Sequence, residues 1–279
     1  MQITIELDSN GRILFDKRLQ RTFAFSGMER KIIEDFRQTK DLPEAEKLAL
    51  KYDLCDCCSF EEMNIDTVRI MIEAIIRTSC RFPKIRSRMC YLGSNTGYLR
   101  AMQRLCLFDR QTVKQFGIEG ICSDRDIRNL SVAVIQMIDG TDYSDDKSNV
   151  LAQRFTVFGL LDAVVFDEND FRGFGYVKLL RGLADSVKTG YHPMGCEEPV
   201  SVVYHELGHL LDDLYNVSES KDFQTLYFGM TKDFIRKNVS EYASVNMKEF
   251  FAECFAEYMC NPRPRETAMK TMRLLESKK

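Results

Sequence analysis

An α+β chain is what the sequence predicts: a small sheet with one chemically loaded helix, preceded by a mostly helical N-terminal region. Three observations predict it. Apolar residues recur at helical spacing over 28–38, 43–53 and 61–79. Short runs rich in β-branched and aromatic residues stand at 2–15, 131–138 and 162–167. Beyond about residue 185, two further helical patterns carry two of the three histidines and a set of evenly spaced acids.

Residues 2–15 read as a hairpin, Ile-Thr-Ile-Glu-Leu and Arg-Ile-Leu-Phe joined at a Ser-Asn-Gly turn. The helical patterns follow, the second opened by Pro43, a residue suited to a first helical turn. A helix over 97–116 comes after the loop Gly93-Ser-Asn-Thr-Gly97. Ser131–Ile138 and Asp162–Asp167 are the internal strand candidates, the first also compatible with helix. No repeat or low-complexity linker divides the chain, and a soft boundary near residue 110 separates an N-terminal region, 1–110, from a second domain, 111–279. Ser186–Pro193 reads as an extended edge strand ending at a proline. Glu197-Glu198-Pro199 then opens a helix whose apolar side is Val202, Val203, Leu207, Leu210, Leu211 and Leu214.

The 279 residues suffice for a large core. A net charge of −3 and a pI near 5.8 argue against nucleic acid or an anionic membrane as the main partner. The basic stretch 81–88 is balanced by acidic segments and reads as solvated surface. Ten cysteines show no disulfide-framework spacing, and the first residues lack the pattern of a signal peptide. No apolar run approaches the roughly 18 residues of a membrane span. A reducing, cytoplasmic setting is expected, and a non-classical route of export stays open. Cys55-Asp-Cys-Cys58 is spaced too tightly for a paired zinc knuckle and reads as packing cysteines.

The chemistry concentrates in His205-Glu206-Leu207-Gly208-His209. Residues four apart on a helix are neighbours on one face. Two imidazoles so placed can hold one Zn²⁺, with Glu206 beside them as a base for water. A catalytic zinc site takes three protein ligands and keeps a fourth position open. The metzincin continuation needs Gly and His where this chain has Asp212 and Tyr215, so that class is excluded. His192 precedes the helix and reads as a cleft-lining residue rather than a ligand. Asp222 is an alternative third ligand. The stronger candidate lies in Lys248–Tyr258, where Glu249, Glu253 and Glu257 recur every four residues among phenylalanines. A carboxylate among aromatics is costly unless a cation or donor meets it. Glu249 and Glu253 fit that description, whereas Glu257 reads as a solvated position. Asp212, or else Asp213 or Glu253, would accept the second N–H of a ligating imidazole.

His205-Glu-Leu-Gly-His-Leu-Leu-Asp-Asp213, followed by Tyr242 and Glu-Phe-Phe-Ala-Glu253, resembles the catalytic domain of anthrax-lethal-factor-like gluzincin metallopeptidases. The resemblance spans roughly residues 185–265. It implies a zincin-like metallopeptidase domain with a small sheet and an active-site helix, holding Zn²⁺. By the same resemblance His205, His209 and Glu249 would be metal ligands and Glu206 the general base. Tyr242 would face the oxyanion, and Glu253 would stand behind the ligands. Nothing in residues 1–110 takes part.

The function expected from this is a zinc-dependent endopeptidase acting on protein or peptide, its substrate pairing with the strand at 186–192. The alternative is a non-catalytic zinc-binding scaffold, such as a phage or mobile-element structural protein that keeps a peptidase fold. The intact Glu206 favours the enzyme. Substrate identity and oligomeric state are not encoded legibly.

Overall fold

The computed structural model describes residues 27–94, 97–98, 152–157, 161–166 and 173–279. The expected hairpin at 2–15 and strand at 131–138 lie outside these residues, as does all but the start of the expected helix at 97–116. Three helices come first: α1 (Gly27–Arg37), α2 (Leu42–Lys51) and α3 (Ile65–Arg81), close to the expected segments. Asp41 caps α2 by accepting the Glu44 N–H at 2.9 Å. Helix α3 starts at residue 65 rather than 61 because Asn64 caps it, its Oδ1 accepting from Asp66 N–H at 2.8 Å and Thr67 N–H at 3.3 Å.

Among the described residues four short strands form one sheet: β1 (Cys57–Ser59), β2 (Met89–Ser94), β3 (Ala152–Val157) and β4 (Leu161–Phe166). Their spatial order is β1-β2-β4-β3, with β1, β2 and β4 parallel and β3 antiparallel to β4 at the edge. The described residues are thus α+β and mostly helical, with a small mixed sheet. Only β4 was foreseen from sequence. Parallel strands covered by helices carry apolar runs instead of alternation, so Met89-Cys-Tyr-Leu92 shows no strand period. Strands from both sides of residue 110 share this sheet.

The edge strand expected at 186–192 is not formed. Helix α4 (Gly173–Thr189) runs through its first half. Leu179, Leu183 and Val187 lie four apart, a helical stripe that packs against the core and outweighs the brief alternation after it. Gly190, at φ +81°, then ends the helix in a left-handed conformation.

The C-terminal part continues with α5 (Val200–Tyr215), α6 (Lys221–Phe228), α7 (Lys232–Asn238), a 3₁₀ turn at Tyr242–Ser244, α8 (Met247–Cys260) and α9 (Glu266–Ser277). Helix α5 begins one residue after Pro199 and ends at Asn216, φ 49°. One connected core runs from Ile32 in α1 to Leu275 in α9. Its tightest association is α5 on α8. Phe250, Phe251 and Phe255 of α8 are fully buried; Phe255 meets Tyr204 edge-on at 6.3 Å, and Phe250 and Phe251 meet Phe223 of α6 at 5.8 Å. Each such side chain contributes roughly 1.5–3 kcal/mol of burial. Glu257, expected to be solvated, is 0% exposed. Arg265 meets it through Nε at 2.9 Å and Nη2 at 2.7 Å, so the charge is neutralised where it is buried. Among the described residues no helix is long and apolar enough to cross a membrane.

The two helices approach at Gly208, where a Cβ would stand 2.9 Å from the Ala252 Cα. Backbone cannot yield to it as a flexible side chain would. Gly208→Ala is expected to lower stability by about 1–3 kcal/mol in chemical denaturation. An unchanged midpoint would show that α5 and α8 have room to separate.

Candidate metal centre

Two helices supply the centre. The middle of α5 presents His205 and His209 on one face, their rings 4.7 Å apart and nearly perpendicular. The first turn of α8 presents Glu249, fixed there by Asn246, whose Oδ1 accepts the Lys248 and Glu249 N–H groups at 2.9 Å each. The donor atoms converge. His205 Nε2 lies 3.0 Å from His209 Nε2 and 3.2 Å from Glu249 Oε2, and the latter lies 3.4 Å from His209 Nε2.

These separations match the edge of a tetrahedron with ligand bonds of about 2.0–2.1 Å, which is ~3.3–3.4 Å. Glu249 Oε2 is buried and accepts no well-formed hydrogen bond. Two imidazoles and a carboxylate oxygen form a suitable donor set for zinc. Residues His205, His209 and Glu249 therefore fit a metal ion. Asp222 is exposed in the first turn of α6 and stands outside this cluster.

Behind the cluster sits Glu253, one helical turn beyond Glu249 and 1% exposed. The His205 Nδ1–H donates to its Oε1 at 2.9 Å, which leaves His205 Nε2 for the cluster. Ser240 Oγ donates to Oε2 at 2.8 Å, and the His192 ring lies at 3.2 Å through Nδ1. Of the acids considered for the ligand histidines, Glu253 meets His205. Asp212 instead accepts the Ser218 N–H at 2.6 Å, where α5 gives way to its exit turn, and Asp213 takes Lys248 Nζ at 3.2 Å. Burial raises the Asp212 pKa, against the Ser218 hydrogen bond.

A pocket of about 200 Å³ lies beside His205 of the cluster. Glu206, Tyr242 and His192 line it together with the rim of His205. Tyr242 stacks on His205 at 5.7 Å and on Tyr191 at 5.6 Å. Its backbone is pinned by the segment after α4: Tyr242 N–H donates to Tyr191 O at 3.1 Å, and Glu241 N–H to Gly190 O at 2.8 Å. Burial, with the Glu249 charge second, raises the Tyr242 pKa, so the phenol stays a neutral donor.

His192, His205, Glu206, His209, Tyr242, Glu249 and Glu253 come together in the cluster and its adjoining pocket, whereas Asp212, Asp213 and Asp222 belong to neither. Ser240 and Tyr191 join the first group. Neither carries a sequence signal, because each acts through a contact across the fold.

Residues 186–272 match a family model described as anthrax toxin lethal factor, N- and C-terminal domain. The match covers under a third of the chain. No curated protein and no solved structure matches it.

Without metal the cluster is an ion-paired network. Burial alone would lower the His205 pKa, but the carboxylates of Glu249 and Glu253 beside its two ring nitrogens raise it to about 10. Burial opposes ionisation of Glu253, yet His192 and His205 hold its pKa down to about 2. The His205 contribution to stability is therefore complete below pH 6.5 and lost as pH rises through about 10. That of Glu253 is complete above pH 4.5 and lost as pH falls towards about 2. Metal-free protein is expected to melt highest between those limits. Metal must displace the His205 proton, so zinc binding at pH 7 should release about one proton. Calorimetry in buffers of different ionisation enthalpy measures that number, and a value of zero would contradict the charged His205.

Proposed function

We propose that this chain is a zinc-dependent endopeptidase. The observation that carries the proposal is the placement of Glu206. Glu206 lines the pocket together with its neighbour in the chain, His205, and is not itself part of the cluster of three donors. A purely structural metal site needs no such base and is usually closed by four protein ligands. The partial match to the lethal-factor family supports the same reading.

His205, His209 and Glu249 would hold the ion. Zinc, when bound, supplies a Lewis acid that polarises a carbonyl and lowers the pKa of a water. Glu206 takes the proton from the attacking water and delivers it to the leaving amine nitrogen. The Tyr242 phenol donates a hydrogen bond to the oxygen of the tetrahedral adduct, an interaction that strengthens as charge develops there. Glu253 keeps the His205 ring in the tautomer and orientation that ligation requires.

The substrate is a protein or peptide in extended form. With 186–192 excluded as an edge strand, β3 is the edge that borders the site, since Ala152 at its start lines the pocket. A peptide backbone added along β3 would pass the mouth of that pocket.

Glu206→Gln should retain zinc and lose peptide-library cleavage by about 10²–10⁴-fold. Glu249→Ala should lose zinc, read as metal per protein by mass spectrometry. Zinc bound with no cleavage by wild type or Glu206→Gln would favour the scaffold reading. Full zinc retention in Glu249→Ala would remove the proposed ligand set.

A further inference from the structure

His192 is the one histidine outside the metal cluster, and the ligand set leaves it without a role. It sits at the turn after α4, in the segment whose strand reading failed. Three contacts fix its ring. Nδ1 lies 3.2 Å from Glu253 Oε2 and 3.3 Å from Oε1, and Tyr242 meets it edge-on at 5.7 Å. Tyr191 also meets it edge-on, at 5.0 Å. A carboxylate accepts and cannot donate, so Nδ1–H faces Glu253, and Nε2, an acceptor in the neutral ring and a donor in the imidazolium, is the nitrogen left for a visitor. The side chain is 23% exposed and lines the pocket shared by Glu206 and Tyr242.

We propose that His192 is a further catalytic residue, using Nε2 to hydrogen-bond the substrate at the reacting peptide unit. The inference rests on the peptidase reading. A surface histidine would not be expected to have this environment. Glu253 is almost wholly buried, and its two oxygens are divided between His205, His192 and Ser240. One carboxylate thus orients a metal ligand and a pocket histidine together. The two imidazoles are held in fixed register, which is the preorganisation a site needs when charge develops between them. Tyr242 and His192 approach the pocket from neighbouring positions and touch each other. They would serve two different atoms of the substrate or share one oxygen.

The role is distinct from that of Glu253, whose two oxygens are taken by the two rings and Ser240 and which acts through those rings. It also differs from metal retention, because His192 contributes no atom to the cluster of three donors. Loss of the imidazole should therefore leave metal content intact and reduce what happens in the pocket.

The test compares wild type, His192→Phe and His192→Gln as intact zinc-loaded protein. Phe keeps the ring contacts with Tyr191 and Tyr242 and removes both nitrogens. Gln restores a polar group of similar reach. Three readouts are needed: zinc per protein, kcat and KM on a peptide cleaved by wild type, and the Kd of a phosphinic peptide that mimics the tetrahedral adduct. Zinc content should be unchanged in both variants. In His192→Phe, kcat should fall about 10²-fold with a smaller change in KM, the size expected for one hydrogen bond lost from the reacting unit. The phosphinic peptide should bind at least about tenfold more weakly to His192→Phe, with partial recovery in His192→Gln. In wild type, ¹⁵N NMR should show the His192 Nε2 resonance shifting when the phosphinic peptide binds, a readout that requires no variant to fold.

Equal kcat and equal phosphinic-peptide affinity in wild type and His192→Phe would overturn the inference and leave the peptidase reading standing. Loss of zinc from both variants, with the Nε2 resonance unmoved by ligand, would reassign His192 to support of the metal site. A wild-type zinc protein that neither cleaves peptide nor binds the phosphinic peptide would overturn the peptidase reading, and this inference with it.

Discussion

The close approach of α5 to α8 is the constraint on which the rest depends. Gly208, inside the His205–His209 segment, lies against the backbone of Ala252, inside Glu-Phe-Phe-Ala-Glu. With no side chain at that point the two helices meet almost backbone to backbone. The imidazoles of α5 then reach Glu249 directly, and His205 reaches Glu253 one turn further along. Phenylalanines at 250, 251 and 255 pack the remaining faces of α8 and hold that separation. The apolar core therefore sets the distances on which the polar site relies. Packed interiors do this well because they resist small displacements.

Burial of charge follows from the same packing. Three carboxylates of α8 point into or beside the core, and each is answered by a different cation or donor. Glu249 faces the two imidazoles, Glu253 takes His205, His192 and Ser240, and Glu257 takes Arg265. An ionised carboxylate left alone in such surroundings would cost several kcal/mol. The partners come from α4's exit turn, α5, the turn before Tyr242 and the start of α9. One helix is thereby linked electrostatically to most of the C-terminal part of the fold.

The pocket inherits its shape from the segment between Gly190 and Cys196. Here an extended strand was the expectation, and a helix end was found. The consequence for the site is large. The left-handed turn at Gly190 places Tyr191 and His192 beside Tyr242, and the backbone bonds at 190–191 fix the 3₁₀ turn that carries that tyrosine. The sheet edge near the pocket passes to β3, which enters from a distant part of the chain.

What the sequence determined by itself was local: the helices at 28–38 and 43–53, the strand at 162–167, and the candidate residues His205, Glu206, His209 and Glu249. These are legible because helical period and ligand spacing are properties of neighbours in the chain, and because a motif of fixed offsets survives without knowledge of its surroundings. The strands β1, β2 and β3 were not legible, since short buried strands owe their existence to partners far away in sequence. The solvated reading of Glu257 failed for a related reason: the Arg265 that neutralises it is brought alongside only when α9 turns back. The preference for Asp212 behind His205 also gave way. Its place in the last turn of α5 commits it to Ser218, while Glu253, 48 residues from His205, is delivered by helix packing. Tertiary structure decided which carboxylates meet which imidazoles, because those contacts depend on how closely α5 and α8 can pack.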